Sequence, residues 1–250
     1  MEKMYRHWDS KGEVEKFSSS RPWAKRFRSE VFFLETIMRP GMSVLDVGCA
    51  TGELYHGLKE RYGAVRYVGM DIAPHMIACA RQFAHGSDAA TFIAGNILDS
   101  DENLKGEQFD VVTATGVFQH EPNYEKLFEK MIAHTKIGGH LLFDVKLFHS
   151  HPALRDITQA YCDYPDPLYY IILTMPDLLA LLARPGVENE AAIYGYYSGV
   201  HSAVRLPASV KEEVLSAHVL VRRTDAERKG EYNFSLRLPE EFIRHCFKET

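Results

Sequence analysis

Val44-Leu45-Asp46-Val47-Gly48-Cys49-Ala50-Thr51-Gly52 is the stretch on which the reading of this chain turns. A short apolar run of strand type, Ser43 to Val47, leads into glycines at 48 and 52, and a helical pattern begins at Glu53. Glycine is needed where backbone turns sharply or where a ligand must approach without a Cβ in the way. A strand-to-helix loop of this kind lies at the carboxyl end of its strand, where open α/β sheets bind ligands. A pyrophosphate loop of the G-x-G-x-x-G type would need a third glycine that is absent here, and Asp46 would sit badly against phosphate. An acid in that place suits a ligand carrying a positive amine.

Outward from this loop the chain keeps a strand–helix rhythm. Strands are expected at Val65–Met70, Thr91–Ala94, Phe109–Ala114 and His140–Val145, with helices at Glu53–Tyr62, Pro74–Phe83 and Asn123–His134. Such alternation is the signature of a parallel sheet covered on both faces. Asp71 ends the second strand, nineteen residues after Gly52, where an acid can accept both hydroxyls of a ribose. Ahead of the sheet, Val31 to Met38 reads as an amphipathic helix stopped at Arg39-Pro40-Gly41. Beyond residue 148 the rhythm changes. A helix is expected at Met175–Ala183, an antiparallel pair of strands at Ala192–Tyr197 and Ala217–Arg222, and a further strand with a short helix in the tail.

The motifs resemble the class I S-adenosylmethionine-dependent methyltransferases of small-molecule type. V-L-D-V-G-C-A-T-G-E-L and Y-V-G-M-D-I are similar to that family's first two motifs. Phe92–Ile97, Phe109–His120 and Lys136–Leu142 resemble its later ones in order and spacing, so the likeness covers residues 40 to 146. Asn96 departs from the acid usual at its place, although its carbonyl oxygen can still meet an exocyclic amine.

The resemblance implies a Rossmann-like, doubly wound, mostly parallel sheet of seven strands with the last antiparallel. It further implies an N-terminal helical lid over 1–40, a cofactor-binding core over 41–148, a cap or substrate region over 149–191 and C-terminal strands over 192–250. S-adenosyl-L-methionine would be the cofactor. Gly48, Cys49, Ala50, Gly52 and Thr115 would meet its methionine part, and Asp46 its amino group. Asp71 would hold the ribose, Ile72 and Ile97 would sandwich the adenine, Asn96 would read its edge, and Met76 would add a contact. His120 and His149 are the candidate catalytic residues, each weighed against an ordinary structural or surface role. Methyl transfer to an O or N atom of a small molecule is the implied activity. A cofactor-binding protein without transfer activity, an RNA methyltransferase and, further off, a nicotinamide-dependent oxidoreductase are the alternatives.

Composition narrows the setting. In 250 residues, 46% are hydrophobic and 25% charged, enough for a sizeable core. A net charge of −5 speaks against a nucleic-acid backbone as partner. Arg21, Lys25, Arg26 and Arg28 form the best basic cluster, and a solvated helix face is the commoner meaning of such spacing. The aromatics Trp8, Phe17 and Trp23 are expected to belong to the lid, while Tyr161, Tyr164, Tyr169 and Tyr170 suit either an acceptor wall or cap packing. Cysteines at 49, 79, 162 and 246 make no C-x-x-C pair, and His149-x-His151 lacks further ligands, so no metal is expected. The start lacks the apolar stretch of a signal peptide, no run is long enough to span a bilayer, and a cytoplasmic location is expected. A homodimer is among the arrangements left open.

Overall fold

The computed structural model describes residues 7–17, 22–84, 87–149, 168–200, 204, 206, 208–225 and 232–247. Parallel strands β1 (Ser43–Val47), β2 (Arg66–Asp71), β3 (Ala90–Ala94), β4 (Phe109–Ala114) and β5 (Thr135–Phe148) form one half of the sheet. They are followed by β6 (Leu173–Thr174), β7 (Val187–Tyr197), β8 (Leu215–Arg223) and β9 (Asn233–Arg237). Neighbours run β3-β2-β1-β4-β5-β8-β7-β9, with β6 pairing the end of β5. The chain reverses on either side of β1, because β4 returns to its other edge. That reversal opens a crevice at the carboxyl ends of β1 and β4.

β8 is antiparallel to both β5 and β7, as the sequence pattern predicts. The further strand expected in the tail forms as β9, which pairs in parallel with β7, and the two-residue β6, not expected, pairs the end of β5. β5 is longer than the run His140–Val145 suggests. Its glycines lie inside the strand, where the register with β4 shifts between Phe109 and Val111. Gly139 leaves room for neighbouring backbone, since a Cβ there would sit 2.8 Å from the Asp110 carbonyl oxygen.

Both faces are covered. α2 (Arg28–Ile37), α3 (Glu53–Tyr62) and α4 (Pro74–Phe83) pack Leu34, Leu58 and Ile77 onto Val44, Val111 and Leu142. α5 (Ile97–Ser100), α6 (Tyr124–His134) and α7 (Met175–Leu182) cover the opposite face, where Leu45, Val112 and Phe143 meet Phe128, Met131 and Leu178. Successive residues of a strand point to opposite faces, so β1 must be apolar on both sides. Ser43 and Asp46 are the polar exceptions, and Asp46, at the loop end, marks the site.

The short helices α1 (Lys11–Phe17), α8 (Ala208–Glu213) and α9 (Glu240–Cys246) and the single turns of 3-10 helix at Trp23–Lys25, Asp101–Leu104 and Phe118–His120 complete the described elements. A third cluster, Phe148, Leu168, Tyr170, Ile172, Val204 and Val214, closes the carboxyl edge of β5, and Trp8 packs against it. Trp23, expected in a lid, instead belongs to the core around α3. Gly57 admits it, because a Cβ there would stand 2.7 Å from the indole. Among the described residues no helix is long and apolar enough to cross a membrane. His151, Tyr161, Tyr164 and Arg21 lie outside the described residues, as do residues 150–167 of the expected cap.

Candidate active site

The glycine loop is shaped by its backbone. Gly48, Ala50 and Gly52 all have positive φ (75°, 46° and 81°), so three residues in five occupy the left-handed region that glycine tolerates best. The amides of Gly48 and Cys49 both donate to the Met70 carbonyl oxygen, at 2.7 and 3.2 Å, and tie the loop to β2. Val117, from the turn after β4, leans on Gly48. A Cβ there would lie 2.4 Å from its methyl group.

Asp71 joins two loops. Its Oδ2 accepts the Ala50 N–H and its Oδ1 the Ala73 N–H, each at 2.9 Å. Burial raises its pKa and these amides oppose the rise. The carboxylate is thus fixed at the carboxyl end of β2, and each oxygen has a further lone pair to offer a hydroxyl.

A buried polar cluster lies one strand over, and the sequence reading missed most of it. Tyr67 Oη donates to Asp46 Oδ2 at 2.5 Å, while Thr113 stands beside Asp46 in the β1–β4 register. Arg26 pairs with Glu30 on the first turn of α2, and Thr115 donates to Glu30 at 3.3 Å. Arg26, read from the sequence as one of a solvated basic face, has a side chain only 7% exposed; Lys25 and Arg28 are the exposed members. Burial drives the Asp46 carboxyl up to about 7, against the lowering effects of Tyr67 and Arg26.

Among the described residues, three buried atoms here find no hydrogen-bond partner: Arg26 Nε, Glu30 Oε2 and Thr113 Oγ1. Orphaned buried polar groups carry a free-energy cost that a ligand can remove. The set holds a guanidinium, two acids and a hydroxyl, and it fits a zwitterionic amino-acid group, the methionine end of S-adenosylmethionine.

The remaining expected residues spread around this centre. Met76 and Ile97 are buried and Ile72 half-buried, while Cys49 lies in the core beneath Gly69. Asn96 Oδ1 accepts the Leu98 N–H at 3.0 Å, the local turn bond typical of asparagine ahead of a helix. His120 occupies the short turn Phe118–His120 after β4. Its Nδ1 lies 2.9 Å from the Tyr169 carbonyl oxygen. Because that oxygen only accepts, Nδ1 carries the proton and Nε2 presents a lone pair.

The rings of Trp8 and Tyr170 stand edge-on to His120 at 5.1 and 5.7 Å, and burial lowers its pKa to about 4. His149 keeps different company. It bonds Glu213 at 3.0 Å and stacks on Phe148 and His245, each 4.7 Å away.

The N-terminal segment crosses the mouth of this crevice. Asp9 accepts from the His75 backbone N–H and meets its Nδ1, both at 2.8 Å. The Phe17 carbonyl accepts from Thr51 at 3.1 Å, and Trp8 reaches His120 on the far side.

Comparison with known proteins agrees with this geometry. The family described as "Methyltransferase domain" matches residues 38–164. A trans-aconitate 2-methyltransferase of Deinococcus radiodurans is 30% identical over 120 residues, 48% of this chain and 44% of that protein. A ubiquinone biosynthesis O-methyltransferase of Pseudomonas entomophila is 28% identical over 140 residues, covering 56% of this chain and 57% of its own. The chain therefore spans about half the length of the curated relatives it matches. Among solved structures, a phosphoethanolamine N-methyltransferase of Haemonchus contortus, bound to phosphomonomethylethanolamine and S-adenosylhomocysteine, superposes with a TM-score of 0.65. It is 13% identical, over 89% of this chain and 59% of that one, a likeness of fold. With the family matched over half its length, the chain belongs to the class I S-adenosylmethionine-dependent methyltransferases.

Proposed function

We propose that this protein transfers a methyl group from S-adenosylmethionine to an O or N atom of a small-molecule acceptor. The observation that carries the reading is the row of groups along the carboxyl ends of β2, β1 and β4. Asp71 suits a ribose, the left-handed loop at 48–52 gives close backbone approach, and Arg26, Asp46, Glu30 and Thr113 suit an amino acid. Asp46, Gly48, Cys49, Ala50, Gly52 and Thr115 line the methionine part; Ile72, Met76, Asn96 and Ile97 line the adenosine part.

Bound S-adenosylmethionine supplies an already electrophilic methyl group on a sulfonium. The protein's own work is then alignment and exclusion of water. Trp8, Asp9 and Phe17 hold the N-terminal segment across the opening, which suits a lid. His120, with Nε2 as an acceptor and its pKa near 4, orients an acceptor's hydrogen or takes a proton that becomes acidic as the new bond forms. His149, paired with Glu213, is assigned no step. The named acceptors of similar proteins include an organic acid, and the negative net charge favours a metabolite over RNA.

Calorimetric titration with S-adenosylmethionine and S-adenosylhomocysteine tests the reading. We expect Kd values on the order of micromolar, weakened at least about tenfold in Asp71→Ala, the loss of a charge-assisted pair. Binding of neither ligand, or equal binding by Asp71→Ala, would overturn it.

A further inference from the structure

Tyr67 belongs to the core by its ring and to the site by its hydroxyl. It is 1% exposed on β2, and its ring stands against those of Tyr55 and Phe92 at 5.3 and 5.7 Å. Packing accounts for an aromatic ring there, but a phenylalanine would pack as well. A buried phenol also needs a hydrogen-bond partner. Tyr67 Oη finds it in Asp46 Oδ2 at 2.5 Å. In the β1–β2 register Tyr67 stands opposite Val44, while Asp46 stands opposite Gly69, which has no side chain to come between them.

The direction of this bond is fixed. Burial and the neighbouring Asp46 push the Tyr67 phenol well above its ordinary range, so it keeps its proton and donates. A donated bond favours the carboxylate over the acid. It also occupies Oδ2 and leaves Oδ1 for a ligand.

The surroundings of Asp46 pull both ways. Burial, with the charges of Glu30 and Asp71, favours the protonated carboxyl, while Tyr67 and Arg26 favour the ionised one. Thr113, beside Asp46 on β4, carries no charge, and burial pushes the Cys49 thiol up so that it stays neutral. Arg26 is already engaged with Glu30. Among the described residues, the hydrogen bond that the Asp46 carboxylate receives is the one from Tyr67. A ligand ammonium gains from Asp46 only when that carboxyl is ionised, so ligand and proton compete for it.

We propose that Tyr67 is a positioning residue of the cofactor site, its hydroxyl holding the Asp46 carboxylate ionised and in place for the amino group of S-adenosylmethionine. The inference rests on the methyltransferase reading and adds to it a residue from the interior of β2. Cofactor binding then weakens as pH falls, and Tyr67 sets how far it weakens.

The test titrates the full chain with S-adenosylhomocysteine by calorimetry at pH 6, 7 and 8. Wild type, Tyr67→Phe, Asp46→Asn and the double variant are compared, with the melting temperature measured for each. Losing one hydrogen bond to a charged group favours the protonated carboxyl about tenfold. Tyr67→Phe should therefore bind about tenfold more weakly than wild type at pH 6 and within about twofold of it at pH 8. In the Asp46→Asn background the same substitution should have no pH-dependent effect, because the amide has no proton to lose.

A Tyr67→Phe penalty of equal size at all three pH values would mean a packing role alone. That result, unchanged affinity at every pH, a pH-dependent penalty that persists in the Asp46→Asn background, or loss of the melting transition in Tyr67→Phe overturns the proposal while leaving the methyltransferase reading intact. Failure of the wild type to bind S-adenosylhomocysteine overturns both.

Discussion

Asp46 should make this protein less stable as pH rises through the neutral range, and Asp46→Asn should abolish that contribution. The carboxyl shifts from 3.8 to about 7 on folding, chiefly through burial. Between those values the folded state holds a proton that the unfolded chain has lost. The proton number of the native state is then the larger, and unfolding free energy falls with increasing pH. The contribution is fully present below 3.8 and exhausted above about 7. At about 1.36 kcal/mol per pKa unit, the part lost between pH 5 and pH 8 is roughly 2.5 kcal/mol.

Asp71 is shifted in the same direction, so the wild-type slope contains more than one group. The difference between wild type and Asp46→Asn isolates Asp46. Urea unfolding of both proteins at pH 5, 6, 7 and 8 is the assay. The wild type should lose its advantage over the variant by roughly 2.5 kcal/mol across that range. Parallel curves would refute the reasoning, because they would mean that Asp46 is ionised in the fold at pH 5 and is no reservoir for a proton. The same shift predicts that binding a ligand ammonium beside Asp46 releases a proton near pH 6. Binding enthalpies should then differ between buffers of different ionisation enthalpy and agree between them in Asp46→Asn.

Gly48→Ala should cost at least about 1 kcal/mol, since the residue has a φ of 75° and the new methyl group would meet Val117. Adding Val117→Ala should recover the steric part and leave the backbone part, as read by denaturant midpoints; full recovery would show that φ is not the constraint. Asp9→Ala removes the bridge from the N-terminal segment to His75, a largely exposed pair worth up to about 1 kcal/mol. S-adenosylhomocysteine should leave up to about fivefold faster in stopped-flow chase experiments, with its association rate nearly unchanged. An unchanged dissociation rate would show that the segment does not gate the crevice.

The parts of this molecule legible in its sequence are those made by local pattern. Val44 to Gly52 is legible because a strand buried on both faces, a positive-φ turn and a helix start all fall within nine residues and agree with one another. Asp71 follows from its place at a strand end, and the antiparallel return of β8 follows from two apolar runs late in the chain. The C-terminal strand and helix are legible for the same reason.

Arg26 and Glu30 were not. Their spacing of four is that of an ordinary exposed helix pair, and only the docking of α2 over the sheet turns them into a buried pair beside Asp46 and Thr115. Thr113 and Tyr67 are hidden by the same logic, because each looks like a strand residue until its side chain is found facing an acid. His149 has partners that the sequence hides as well. Its position after β5 suggests an acceptor site, and Glu213 and His245, more than sixty residues away in sequence, are brought against it by the fold.

Lys146 shows where the boundary lies. In sequence it is a lysine in a largely apolar strand, and its register opposite Ser216 is what buries it. The glycine loop and Asp71 come from stretches that the chain writes contiguously. A residue such as Lys146 takes its surroundings from whichever strands the topology brings alongside, and so its burial could be read only once β8 was in place beside β5.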